Sequence, residues 1–399
     1  MKYNNFRPGE WFKEIAMSWT PRERVLAAIN HEEADRVPID LGGTFASSIV
    51  LDAYDRLKDH LGLDHETKVM STLNQLALPD ESVLQRFGVD TRPIMAGPYE
   101  DGPNRWVDDL TYIDEFGVTL KGTTGTNDKH FLYKHGPFWD GKLTPERIDA
   151  FDWPDPDNPG LVRGIKEQVA AYKAAGDYCL VLNVPAQVIH RAYPMRGMQD
   201  FLKDFYKNPD ANCYLMDKLA DYCIRASQNM IREAGAENVD IVFFGEDLGT
   251  QDGCMFDPEG LYARYIKPRH ERIVQTLKAD TGAKSVFHCC GSAYHFIPHL
   301  LDIGVDSLNP VQVTAKNMEP DRLKGEFGDR LAFWGGINSQ ETLPYHSAAE
   351  VEAETKRCID IFGKQGGYTL TSVHNIQFEV PPENVVAMFD TGLNHRLAS

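Results

Sequence analysis

VDIVFFGED (239–247) and KSVFHCCG (284–291) decide the fold. Each is a short apolar run with little period-2 alternation, the pattern of a strand buried on both faces in a parallel sheet. A helical pattern from Pro258 to Asp280 separates them, so the pair reads as strand, crossover helix, strand. The unit recurs outward in both directions. Upstream, YCLVLNVPA (178–186) precedes helical segments from Met198 to Ala234. Downstream, KSVFHCCG leads into AYHFIPHLLDIG (293–304), VDSLNP (305–310) into EPDRLKGEFG (319–328), LAFWGG (331–336) into AAEVEAETKRCIDIFG (348–363), and GYTLTSVHN (367–375) into PPENVVAMFD (381–390). Near the start, RVPIDLGG (36–43) and the helix through VLDAYDRLKDHLG (50–62) form one more unit. Strand then helix, repeated to the C-terminus, implies parallel strands joined by crossovers. The predicted fold is α/β, a (β/α)8 TIM barrel. An open doubly wound sheet would alternate similarly, but no GxGxxG or GxxxxGK[ST] follows a strand here. Polar, metal-capable residues instead collect at strand C-termini, the catalytic end of a barrel.

Residues 1–20 read as an N-terminal extension and 21–399 as a single barrel domain, a length such barrels reach as one unit. PRERVLAAINHEE (21–33) opens with Pro in the first turn of a helix. Between about Asp90 and Lys134, short segments including TRPIMAG, LTYIDEFG and VTLKGTTG suggest an inserted hairpin region over the barrel mouth. Lys and Arg number 41 against 59 Asp and Glu, a formal net charge of -18 spread along the chain, which argues against nucleic acid as a partner. Seven cysteines, an odd number in a long chain, read as reduced thiols rather than a disulfide framework. No signal-like h-region and no run of about 18 apolar residues occurs, so the expectation is a cytoplasmic protein with no membrane partner.

Chemistry concentrates at three strand ends. In KSVFHCCG, alternation puts His288 and Cys290 on one face and Cys289 on the other. Imidazole nitrogen and thiolate sulfur suit Zn²⁺, and three protein ligands with an open position mark a catalytic site. The spacing H-x-C arises often by chance; the neighbouring strand ends give it weight. GYTLTSVHN carries His374 at the end of the last strand, and VDIVFFGED carries Glu246 and Asp247. In a closed barrel these ends converge, so His288, Cys290, His374 and a carboxylate could reach one ion.

These residues lie in stretches that resemble a known superfamily. PRERVLAAINHEEADRVPID, GEDLGTQDGCMFDPEGLYARYIKPRHERI, HCCGSAYHFIPHLLDIGVDSLNPVQ, FWGGIN and GGYTLTSVHNIQFEVPPENVVAMFD are similar to the uroporphyrinogen decarboxylase-like superfamily, and more narrowly to its zinc-dependent corrinoid methyltransferase branch. The resemblance covers the chain from about residue 20. It implies a (β/α)8 barrel whose zinc is held by a His-x-Cys pair, matched by His288 and Cys290, and by a further Cys near the last strand. The chain departs from the pattern there, with His374 in the third position. Uroporphyrinogen decarboxylases proper carry an Arg-rich R-Q-A-G-R segment near the N-terminus that grips substrate carboxylates, where this chain reads DLGGTFASS. Without that bidentate clamp, decarboxylation of a polycarboxylate is disfavoured.

The implied function is a zinc-dependent methyltransferase or demethylase. It would move a methyl group from a small O-, N- or S-methyl compound to a corrinoid (cobalamin) carried on a separate partner protein, or to a tetrahydrofolate-type acceptor. Zinc would sit on His288, Cys290 and His374, with Glu246 as fourth ligand or proton donor and Asp247 beside it as a second catalytic carboxylate. Gln251 is expected to contact substrate, and Asn183, His190, Asn309, Gln312 and Asn338 to shape the pocket, with Trp334 and Tyr193 available for stacking. The resemblance also points to a homodimer. Two rival readings stay open: a decarboxylase or other lyase on the same barrel, which predicts no essential metal and a cationic pocket, and a non-catalytic corrinoid-handling protein, which predicts binding without turnover.

Overall fold

The computed structural model describes residues 19–123 and 131–397. All but the last two residues of the expected 1–20 extension lie outside the described residues. Seven parallel strands form one sheet in the spatial order Tyr368–Thr369, Ala332–Trp334, Ser307–Asn309, Lys284–His288, Ile241–Gly245, Cys179–Asn183 and Thr91–Met95. Segment 38–40 supplies the eighth stave. Asp40 N–H donates to the Leu370 carbonyl at 2.9 Å on one side, and Asp90 N–H donates to the Ile39 carbonyl at 2.9 Å on the other. The barrel is thereby closed, as the alternation predicted.

Thr91–Met95 corrects one expectation. It belongs to the barrel wall, in parallel register with Cys179–Asn183, and not to the inserted region. Arg92 and Pro93 disguise it, since Pro and a charge argue against a central strand. Arg92 is fully buried, but Glu81 accepts from its guanidinium at 2.7 and 2.9 Å and the Tyr178 ring stacks on it at 3.6 Å, so the charge is compensated.

Helix Pro21–Ile29 closes the N-terminal end of the barrel. Thr20 and Glu23 form a capping box at its start, which satisfies two orphan N–H groups. Its Val25 and Ile29 pack inside the barrel with Cys179, Val181, Ile241, Phe243, Val286, Ala332 and Trp334. Arg22 N–H donates to the Asp177 carbonyl and the Arg22 side chain pairs with Asp240, both at the starts of barrel strands. The opposite, C-terminal end is covered by a four-stranded antiparallel sheet, Arg105–Asp108, Thr111–Ile113, Thr119–Gly122 and Phe131–His135, and by the hairpin Lys68–Ser71 and Leu76–Leu78. The inserted lid thus begins after Met95 rather than at Asp90.

Candidate metal centre

Strand register brings the site together. His288, the last residue of its strand, stands opposite Gly245 on one side and Asn309 on the other. A side chain at 245 would run into the His288 backbone, so glycine is what allows the two strand ends to meet there. His288 Nε2 lies 3.3 Å from Cys290 Sγ, and the His288 and His374 ring centroids are 5.7 Å apart. The donor atoms of His288, Cys290 and His374 all fall within 4.8 Å of one another. A tetrahedral zinc ion, with bonds of about 2.1 Å to nitrogen and 2.3 Å to sulfur, needs donors about 3.4–3.6 Å apart. Small side-chain adjustments reach that spacing, so the residues fit the ion. His374 is five residues beyond Thr369, the last residue of its strand, and so arrives from the following loop rather than from the strand itself.

The surroundings prepare these ligands. His288 Nδ1–H donates to Asn309 Oδ1 at 2.8 Å, which fixes the ring and leaves the Nε2 lone pair toward Cys290. Burial lowers the His288 ring below the ordinary histidine range even though Asp247 and Asn309 oppose it. Burial, with the His288 ring, lowers His374 to about 4. Both imidazoles are neutral near pH 7, as metal ligands must be. Burial and the Asp247 carboxylate push the Cys290 thiol well up, so it holds its proton until a cation displaces it. Cys289 faces away as alternation requires, its sulfur accepting from Leu248 N–H at 3.3 Å.

The two adjacent carboxylates separate. Asp247 faces the centre: its Oδ1 accepts from Cys290 N–H at 2.9 Å and lies 3.6 Å from His288 Nε2, and its Oδ2 lies 3.7 Å from His190 Nε2. Burial works against its ionisation, but the His288 and His190 rings and the Cys290 N–H outweigh burial and hold its carboxyl below the usual range. Glu246 is not brought to the three donor atoms. Its buried carboxylate accepts from Val188 N–H and, at 2.6 Å, from Ile189 N–H, with His270 Nε2 3.8 Å away. It therefore caps helix Ile189–Arg196 and is a ligand only of that helix start.

The remaining predicted residues divide similarly. Asn309 orients His288, and His190 lines the cavity while its Nε2 accepts from Asp247 N–H at 3.1 Å. Gln312 accepts from Gly291 N–H and donates to Gln251, which in turn donates to the Thr314 carbonyl, a brace behind the loop that carries Cys290. Asn183 holds the loop at Phe45 through Phe45 N–H and the Gly43 carbonyl. Asn338 accepts from Gln340 and Glu341 N–H just before helix Thr342–Tyr345, so it shapes a turn rather than the pocket. Trp334 is fully buried in the barrel with its Nε1–H on Asp40, which removes it as a stacking surface. Tyr193 meets the His190 ring edge-on.

A cavity of about 700 Å³ adjoins the centre, reaching it through His374 and His190 and roofed by the lid. Half-exposed rings of Phe45, Tyr112, Phe131, Tyr133 and Phe378 form much of its wall. Among the described residues lining it, Arg191 is the one Lys or Arg, and it stands 3.4 Å from both Asp114 Oδ2 and Glu115 Oε1. Burial pushes the Asp114 carboxyl up to about 6 against the pull of Arg191, and Glu115 adds to the rise. Sequence reasoning singled out none of these rings, nor Arg191, Asp114 or Glu115, because they come from the lid, two mouth loops and a helix rather than from strand ends. The seven cysteines are all free thiols, and no helix among the described residues is long and apolar enough to cross a membrane.

The family model described as uroporphyrinogen decarboxylase (URO-D) matches residues 130–394, which include His288, Cys290 and His374. Among solved structures, the chain is similar to a methyltransferase from Methanosarcina mazei, at 17% identity and a TM-score of 0.62 over 94% of this chain and 98% of that one. It also aligns with a GH113 beta-1,4-mannanase at 9% identity over 91% of this chain and 100% of that one, with a TM-score of 0.39, too low to bear on the fold. No curated protein matches the chain.

Proposed function

This chain belongs to the uroporphyrinogen decarboxylase family, and from that premise we propose that it is a zinc-dependent methyltransferase acting on a small O-, N- or S-methyl compound. The observation that carries the reading is the convergence of one thiol and two neutral imidazoles on one point beside a cavity. The similarity to the Methanosarcina mazei methyltransferase supports it. His288, Cys290 and His374 would hold the ion, which supplies a Lewis acid with an open coordination position. Asn309 keeps His288 in the tautomer that leaves the Nε2 lone pair free to hold a metal. Asp247 takes the acid–base role expected of Glu246: it accepts from the Cys290 N–H, interacts with the Cys290 thiol and lies beside groups entering past His190. Glu246 fixes the helix that presents His190 and Arg191 to the cavity. Transfer in this reading goes to a corrinoid on a separate protein or to a tetrahydrofolate-type acceptor, in the cytoplasm. A homodimer is part of the same proposal.

The lining charges disfavour a decarboxylase of polycarboxylates. Its substrate would need a cationic clamp, whereas the cavity's Arg191 already faces two carboxylates. A test is to supply zinc-loaded protein with reduced free cobalamin and a panel of methoxyarenes, methylamines and methyl sulfides, following methylcobalamin by its absorbance. Formation with at least one donor, abolished in His374→Ala, is expected. Equal rates in wild type and His374→Ala would contradict the reading.

A further inference from the structure

We propose that the cavity beside His374 binds an organic cation, a methylated ammonium or sulfonium group, against its aromatic walls. The inference rests on the methyl-transfer reading and names the substrate class for it. Five rings that belong to separate parts of the chain converge on one space. Phe45 and Phe378 come from loops at the barrel mouth, Tyr112 from lid strand Thr111–Ile113, and Phe131 and Tyr133 from lid strand Phe131–His135. None of the five is fully buried: Phe45 also packs against the inner barrel cluster, and Tyr112 and Phe131 meet the Trp106 ring, yet each keeps part of its surface on the cavity. The wall is held in place: Phe45 N–H donates to Asn183, and Tyr133 meets the Tyr193 ring edge-on, which in turn meets His190. Rings with negative faces around a cavity attract a desolvated cation, most of all a quaternary one that offers no hydrogen bond.

Charge points the same way. Asp114 and Glu115 face the single Arg191, leaving one carboxylate in excess, and the third lining carboxylate, Asp52, pairs with Arg56 outside the lining. Asp114 Oδ1 is also spent on the N–H groups of Phe116 and Val118, so the pair is anchored in the lid. A substrate carboxylate approaching Arg191 would meet two carboxylates already there. An anion therefore finds no unopposed Lys or Arg among the described residues lining the cavity, whereas a methylated cation at the lid end finds both rings and excess negative charge.

Calorimetric titration of the full chain with choline, its neutral isostere 3,3-dimethylbutan-1-ol, and 4-methoxybenzoate, at one ionic strength, separates the possibilities. The proposal expects choline to bind about 10-fold more tightly than the isostere, and 4-methoxybenzoate to bind more weakly than choline. Tyr133→Leu and Glu115→Gln should each weaken choline several-fold while leaving the isostere unchanged; Tyr133 is 41% exposed, so its loss disturbs little packing. Equal affinity for choline and its isostere, or tighter binding of 4-methoxybenzoate, would overturn the proposal. Zinc content is read on the same samples. Choline preference in protein that takes up no zinc would overturn the methyl-transfer reading alone, and zinc uptake without choline preference would overturn this inference alone.

Discussion

Replacing Asn309 by Ala removes one hydrogen bond from the centre while leaving every proposed ligand in place. The Asn309 side chain accepts from His288 Nδ1–H at 2.8 Å, and its backbone carbonyl accepts from Cys289 N–H at 2.6 Å. The substitution spares the backbone bond, so the strand pairing that carries His288 and Cys290 survives. What is lost is the partner of a buried N–H, worth about 1–3 kcal/mol when left unsatisfied. Part of that loss falls on the ring orientation from which Nε2 binds metal, and removing such a partner costs typically about 10–100-fold in metal affinity. Zinc affinity should therefore fall by about 10–100-fold in Asn309→Ala, measured by competition with a chelator of known affinity at pH 7, with circular dichroism to confirm the fold. Asn309→Asp keeps an acceptor for Nδ1–H and should hold zinc at least as well as Asn309→Ala. Unchanged zinc affinity in a folded Asn309→Ala protein would refute the assignment of His288 as an oriented ligand.

Other consequences are open to direct measurement. Zinc binding at pH 7 should release about one proton, from Cys290, because His288 and His374 are neutral beforehand; calorimetry in buffers of different ionisation enthalpy counts it, and release of none would contradict the thiolate ligand. In zinc-free protein, His374 has a depressed pKa of about 4 against about 6.5 when unfolded, so the unfolded state binds more protons between those values. Stability should then decline as pH falls from about 6.5 to 4, by at most about 3 kcal/mol from this residue, and urea titrations should show that decline blunted in His374→Ala. Glu246→Ala strands the N–H groups of Val188 and Ile189 in the interior, which should cost about 2–6 kcal/mol of unfolding free energy while zinc stoichiometry stays at the wild-type value; loss of zinc from a folded Glu246→Ala protein would restore Glu246 as a ligand.

The barrel was legible because seven of its strands are either apolar runs or sit in a regular strand–helix alternation. Thr91–Met95 was not, since its buried Arg92 is neutralised by Glu81, a partner that no local pattern reveals. At the site, period-2 alternation sufficed for His288, Cys290 and the opposite-facing Cys289, all within or just past one strand. For Glu246 and Asp247 strand-end position was the only guide, and it does not say which of two adjacent carboxylates faces the centre; Glu246 is taken by the N–H groups of Val188 and Ile189, partners that no local pattern reveals. Asn338 and Trp334 carried the right residue types at strand ends, yet one caps a turn and the other fills the barrel. Strand-end position alone does not distinguish a pocket group from a structural one. The aromatic wall was hidden for a topological reason: its rings come from the lid and from two mouth loops far apart in sequence.

The central claim is that His288, Cys290 and His374 hold one metal ion. Elemental analysis of the purified protein, wild type beside Cys290→Ser and His374→Ala, tests it most directly. The account predicts about one zinc per chain in the wild type and loss of it in both folded variants. Wild-type protein that takes up no zinc, or variants that keep it at full stoichiometry, would contradict it.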